Sequence, residues 1–404
     1  MIETGNEVDA LARNLFPGGV EVGRGEIERT RRLLEDRSPV LYQAAFETER
    51  FSTACDILVF NPATTVYDLY EVKASTSGDD KAAKNELYTD DIAFQANILR
   101  ECNVPLGVLH LVRLDSNYVR GDELDVRSLF SIEDFTNRVN DAQARTWERM
   151  NSAFEFLSRT VQPNGPCDCI YKGRSAHCTT FEASNPDVPS YSVHDISRIG
   201  SSKKRLANLI DLHILAIQEV PDYFELSDIQ SRQVLSAKSG REVVDPDAIE
   251  VLLSGYQFPL AFFDYETYPA AIPRFRGYGP FDQIPFQFSL DVLPTPDGEV
   301  QHFEFLDTKA GSPDVRLMDA LQAFMPPRGS IVTWNKHFEI GINKKLAVRE
   351  PQYAAFLDAS QTWNAMVTGD LAADEAAAKR AALLTYCSLD TRAMWEIWRV
   401  LTRL

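Results

Sequence analysis

Residues 66–76, VYDLYEVKAST, alternate as a strand does, yet they set Glu71 and Lys73 two apart on one side, where a core sheet takes apolar groups. Asp56, 15 residues before Glu71, lies in the otherwise apolar ACDILVF, across a short hairpin. The problem recurs in FFDYET, which puts Asp264 and Glu266 on one face at the end of an apolar strand. Burying a charge without a partner is costly, so any fold for this chain must supply partners to these acids. An E-x-K pair alone is most often a solvated salt bridge; the apolar surroundings and the second carboxylate, Asp56, argue for more.

The elements around these strands define an α/β fold class. NEVDALARNLF, residues 6–16, puts Val8, Leu11, Ala12, Leu15 and Phe16 at helical spacing, with Glu7 in the first turn. FSTACDILVF and TTVYDLYEVKA read as a hairpin about NPAT. Next come a helix in DDIAFQANILREC, where Gln95 interrupts an apolar stripe of Ile92, Ala96 and Leu99, a strand in VPLGVLHLVRL, and a helix over roughly 132–160. VQPNGPCDC breaks the pattern. From about 257, the strands LAFFDYE, IPFQFSLDVL and VQHFEFLD precede a helix, the strand GSIVTWN and two more helices. Three parts are expected: an α/β domain at 1–165, a cysteine-containing connector with a helical pair at 166–245, and a second α/β domain at 246–404.

A net charge of −18 argues against a protein that coats nucleic acid nonspecifically. It does not exclude a nuclease, whose site needs carboxylates and takes positive charge from metal. The opening residues, MIETGNEVDA, are acidic, and no stretch approaches the roughly 18 apolar residues of a membrane span, so a cytoplasmic protein without a membrane partner is expected.

Two carboxylates at a sheet edge suit Mg²⁺ or Mn²⁺; a neighbouring lysine then orients water or offsets charge at phosphorus. Glu7 on the first helix, Asp56, the E-x-K of Glu71 and Lys73, and Gln95 on the next helix together resemble the RecB-type branch of the PD-(D/E)XK nucleases, over about residues 5–115. The resemblance implies a restriction-endonuclease-like core, metal held by Glu7, Asp56 and Glu71, and catalysis involving Asp56, Glu71, Lys73 and Gln95. The first-helix histidine that many such enzymes carry is missing, and Leu99 stands where a tyrosine often follows the glutamine.

Six cysteines in a chain this long give no disulfide framework, but CDCIYKGRSAHC gathers Cys167, Cys169 and Cys178 beside His177. RecB-type nucleases often carry an iron–sulfur cluster here, with another cysteine before the core; this chain has none before Cys55. Three cysteines completed by His177, His194 or Cys102 would hold zinc or a cluster, the alternative being free or packed thiols. IGSSKKRLANLIDLHILAI resembles a helix-hairpin-helix that holds a phosphate on backbone N–H groups, with His213 in place of glycine. The alternative is a packing pair whose Lys203, Lys204 and Arg205 face solvent.

In the last part, D-x-E at Asp264 and Glu266, WNKHFE with Glu339, and Y-x-x-x-D at Tyr386 and Asp390 resemble the DEDD exonucleases of the proofreading type, which have an RNase H-like fold. The resemblance implies two metal ions held by Asp264, Glu266, Glu339 and Asp390, with Tyr386 placing the attacking water. Glu339 replaces the usual aspartate, and only 47 residues separate it from Tyr386. The whole chain resembles bacterial proteins that join a RecB-type nuclease to an uncharacterised domain. The expected function is a metal-dependent nuclease with two sites, acting on DNA in preference to RNA, with protein partners in repair or defence. The alternative is a nucleic-acid- or partner-binding scaffold with decayed sites.

Overall fold

The computed structural model describes residues 2–78, 82–161, 165, 167–201, 203–354 and 390–403. It is mixed α/β with two sheets. Met1–Leu157 and Leu253–Arg403 form one compact unit, and Ser158–Leu252 form another. Among the described residues no helix is long and apolar enough to cross a membrane.

The first sheet runs, in spatial and chain order, β1 (Val20–Glu21), β2 (Val40–Glu47), β3 (Ser52–Asn61), β4 (Val66–Thr76), β5 (Leu106–Leu114) and β6 (Phe130–Asp134). β1–β2 and β4–β5 are parallel and the other pairs antiparallel. Its helices are α1 (Ile2–Ala12), α2 (Ile27–Glu35), α3 (Ala82–Glu101), α4 (Val126–Leu129) and α5 (Thr136–Leu157). Period-two alternation sorts the strand residues: Leu58, Leu69 and Leu109 pack with Ile98 of α3 and Val139 of α5. Ile57, Val72 and Val112 face the other way, onto Val8 and Ala12 of α1.

The structure differs in detail from the sequence reading. The first helix starts at Ile2 and gives way to a 3₁₀ turn at Arg13–Leu15; residues 130–134 are strand, so the long helix starts at Thr136; and β1, α2, β2 and α4 were not foreseen.

In the second unit, α7 (Lys203–Asp211), α8 (Asp228–Ser239) and short 3₁₀ turns supply a small core that includes Val193, Leu206, Leu209 and Ile217; α6 (Phe181–Ser184) precedes them, and α9 (Pro246–Ser254), which buries no residue, follows. The expected helical pair is not formed. α7 stops at Asp211, His213 takes a left-handed backbone (φ 58°), and the chain continues through a bridge between Ser192 and Ala216 to a 3₁₀ turn at Ile217–Glu219. Ile214, Leu215 and Ile217 have helix-like spacing but reach the core from an irregular segment.

The second sheet contains β7 (Leu260–Pro269), β8 (Gln283–Leu293), β9 (Gln301–Leu306) and β10 (Ser330–Val332), ordered β10-β7-β8-β9. β7–β8–β9 is an antiparallel meander, and β10 is parallel to β7. α10 (Asp314–Phe324) and α11 (Lys336–Arg349) cover one face through Leu317, Leu321, Ile342 and Leu346. Residues 390–401 are helical and place Met394 and Trp398 against Leu260, Phe262 and Leu293 on the other face. The segment between β7 and β8 inserts Ala271, Ile272 and Phe281 into the cluster beneath α1, and Arg120 exchanges backbone hydrogen bonds with Tyr278 and Gly277 at 2.9 and 2.8 Å.

Candidate active sites

The β3–β4 ladder ends at Ile57↔Tyr70. Beyond it β3 stays paired with β2 and β4 with β5, so the sheet forks at Asp56 and Glu71. The strand N–H freed at the fork, that of Val72, donates to Asp56 Oδ2 at 2.8 Å, the carboxylate standing in for a ladder carbonyl. Gln43 of β2 donates to Asp56 Oδ1 at 3.0 Å. Gln43 is left-handed (φ 52°), a strained conformation for a strand residue. A cleft of about 550 Å³ opens at the fork.

Glu71 is 5% exposed. Its Oε1 accepts from Lys73 Nζ at 2.6 Å and its Oε2 from Gln95 Nε2 of α3 at 2.7 Å. Burial first and the Asp56 charge second push its carboxyl up to about 8, against the pull of Lys73. Burial and the charge of Asp9 likewise raise Asp56, against the bonds from Val72 and Gln43. Burial works to lower Lys73, but Glu71 and Asp91 outweigh it and hold the ammonium above its ordinary value. Asp91 of α3 is the second carboxylate on that ammonium.

Asp56, Glu71, Lys73 and Gln95 therefore meet as the sequence indicated. Glu7 does not join them: it is exposed on α1. The acid of that helix that reaches the fork is Asp9, whose Oδ2 lies 3.5 Å from Gln43 Nε2 and whose Oδ1 is buried without a hydrogen-bond partner among the described residues. Sequence reasoning also passed over Gln43 and Asp91. The signal for Asp91 was present, since it lies one helical turn before Gln95.

On β7, Asp264 and Glu266 share the face of Phe262 and so meet the helical segment 390–401. Oxygens of Asp264, Glu266 and Asp390 lie within 4.8 Å of one another. Thr391, next to Asp390, bonds Ser289 of β8 at 2.8 Å, and Ser289 is the cross-strand neighbour of Asp264. This contact ties the helix to the strand register. Burial, then the charges of Glu266, Asp390 and Glu339, push Asp264 up to about 7. Glu266 is raised by burial and by Asp390, and burial raises Asp390. Glu339, in the first turn of α11, is 5% exposed, raised by burial, and keeps a buried Oε2 without a hydrogen-bond partner among the described residues. Tyr386 lies outside the described residues, as does the rest of the segment before Asp390.

In the second unit, sulfur atoms of Cys167, Cys169 and Cys178 also lie within 4.8 Å of one another. Hydrogen bonds with the Thr180 side chain and backbone, then with Cys169, bring the Cys178 thiol down to about 7, a value suited to a metal-binding thiolate. His194 does not complete the site, because its ring nitrogens are engaged by Ile170 O (2.7 Å) and Ser192 Oγ (3.1 Å). His177 has its Nε2 3.0 Å from Lys172 O and stacks on Phe181. Cys102 belongs to the other unit, with Sγ 3.6 Å from Glu47 O.

Residues 261–373, which hold β7, the meander and α11, match a family described as a domain of unknown function (DUF2779). No curated protein and no solved structure matches the chain.

Both acid groups fit a hard divalent cation. Among the described residues the fork offers carboxylates and amide oxygens with one buried, unpartnered acid oxygen, and the second group offers three carboxylates, of which Asp390 raises both Asp264 and Glu266. The three thiols fit a softer metal.

Proposed function

We propose that the chain is a divalent-metal-dependent nuclease that hydrolyses phosphodiester bonds of DNA. In this reading the fork is a PD-(D/E)XK-type centre of the RecB kind, and the end of β7 is a DEDD-type centre on an RNase H-like sheet. The strand order β10-β7-β8-β9, with β10 parallel to the first strand of the meander, supports the second assignment. The observation that carries the reading is the gathering of Asp264, Glu266 and Asp390, from a strand and a sequence-distant helix, with oxygens within 4.8 Å.

A bound Mg²⁺ or Mn²⁺ supplies Lewis-acid stabilisation of phosphate charge and makes water a better nucleophile. Asp56 and Glu71 would hold it at the fork, and Asp264, Glu266, Asp390 and Glu339 at the second centre. Gln95 fixes one oxygen of Glu71, and Gln43 one oxygen of Asp56. Lys73, held as an ammonium by two carboxylates, places fixed positive charge beside the reacting phosphate and does not serve as the base. Cys167, Cys169 and Cys178 would hold zinc or an iron–sulfur cluster.

Calorimetric titration with Mn²⁺ tests the reading. The intact chain should bind at two acid centres, Asp56→Ala and Asp264→Ala should each remove one, and the double variant should bind at neither. Equal binding by all four proteins would favour a scaffold with decayed sites.

A further inference from the structure

The cleft at the fork poses an electrostatic problem that a metal ion does not solve alone. Its walls carry the acids Glu47, Asp56, Glu71 and Asp91, and the chain as a whole carries −18, so a polyanion approaching the scissile position meets repulsion on all sides. Lys73 is committed to Glu71 and Asp91. Among the described residues lining the cleft, Arg24 alone carries positive charge.

Arg24 sits in the turn between β1 and α2. Glu26 shapes that turn, its Oε2 accepting from Gly23 N at 3.1 Å, while the left-handed backbone of Gly25 (φ 85°) lets the chain reverse. Glu26 pairs with Arg29 at 2.8 Å and so does not compete for Arg24. Among the described residues the Arg24 side chain has neither a hydrogen-bond nor an ion-pair partner, and it is exposed to the cleft. An arginine that no carboxylate claims, on the wall of a cleft so rich in acids, is placed to meet an anion from outside. Its planar fork suits the two free oxygens of a phosphodiester. Ser52 of β3, which alternation puts on the face of Asp56, also lines the cleft, and a serine hydroxyl donates to a phosphate oxygen without adding charge.

We propose that Arg24 binds a backbone phosphate flanking the scissile one, making the cleft a two-phosphate subsite that holds the strand in register over Asp56 and Glu71. The proposal rests on the reading of the fork as a nuclease centre. Arg24 is a positioning residue: it grips the strand and does not touch the reacting atoms.

The test uses the full chain with Lys73→Ala and Asp264→Ala combined, which should bind substrate without cutting it, and a fluorescein-labelled single-stranded DNA oligonucleotide, read by anisotropy with Mg²⁺ across a salt series. Adding Arg24→Ala should weaken binding roughly tenfold and lower the slope of log affinity against log salt by about 1. Arg24→Lys should recover part of the loss, and Arg24→Glu should exceed it. In the cleaving parent, Arg24→Ala should act mainly on KM. Unaltered affinity and salt slope on adding Arg24→Ala, with the double-variant parent binding normally, would overturn the phosphate subsite and leave the nuclease reading standing. No binding by that parent, together with no cleavage by the unmodified chain, would overturn both.

Discussion

At the fork of the first sheet each acid has a protein partner: Glu71 has Lys73 and Gln95, and Asp56 has Gln43 and the Val72 amide. At the end of β7 the acids face one another, and Asp264 is raised chiefly by burial and by Glu266, Asp390 and Glu339. The difference teaches how much each arrangement leaves to a cation. On the proposed function, donors at the fork would fix the carboxylates before metal arrives, which favours a preorganised catalytic centre. On the same proposal, a cation would relieve the repulsion within the second group, whose geometry rests on a helix held in register by the Ser289–Thr391 contact. On the proposed function, most cleavage belongs to the fork, and the second centre trims ends more slowly.

Removing the protein cation should break the comparison most severely. Lys73→Ala is expected to cut total cleavage by about 10²–10³-fold while the chain stays folded and still binds Mn²⁺. Asp264→Ala should change the length of products more than their total amount. Gel analysis of a labelled oligonucleotide reads both, and the reverse pattern would exchange the roles of the two centres.

The second expectation concerns pH. Asp264 rises from 3.8 to about 7 on folding, and Glu71 from 4.5 to about 8. The folded chain therefore binds these protons more tightly than the unfolded chain does. That stabilisation is complete below the unfolded values and is lost as pH climbs through about 7 and about 8. Thermal melts in chelator should show the chain weakening from mildly acidic to mildly alkaline pH, with Mn²⁺ restoring stability. Asp264→Asn should flatten that dependence and raise the melting temperature in chelator at alkaline pH. A melting temperature in chelator that does not fall as pH rises would contradict the account of mutual repulsion.

Smaller effects sharpen the picture. Gln43→Ala removes one donor from Asp56 and relaxes a left-handed backbone only in part, so a several-fold loss of cleavage is expected, with a weaker apparent affinity for Mn²⁺. Cys178→Ser should lower zinc or iron content, read by elemental analysis, from near one site per chain to background, with little change in Mn²⁺ binding at either acid centre. Absence of stoichiometric metal in both aerobic and anaerobic preparations would favour free thiols.

Much of this was legible in the sequence because strand alternation is strict. Asp56 and Glu71 share a face with Leu58 and Leu69, and Asp264 and Glu266 share one with Phe262. Other features were not legible, for physical reasons. Glu7 and Asp9 flank the apolar stripe of α1 on opposite sides at equal angles, so periodicity cannot say which flank meets the fork; the sheet decides for Asp9. β2 escaped notice because Gln43 falls in a run, VLYQAAFE, whose burial does not alternate. The false helical pair arose because Ile214, Leu215 and Ile217 reach their core through an irregular backbone that the spacing imitates. The role given to Tyr386 falls outside the described residues.

The most direct test of the central claim is a cleavage assay on DNA labelled differently at each end, comparing the unmodified chain, Lys73→Ala, Asp264→Ala and the double variant in Mg²⁺ and in Mn²⁺. The account predicts metal-dependent cleavage by the unmodified chain, a severe loss with Lys73→Ala, a shift in product length with Asp264→Ala, and no products from the double variant. A double variant that cuts as fast as the unmodified chain, or an unmodified chain that cuts with neither metal, would contradict it.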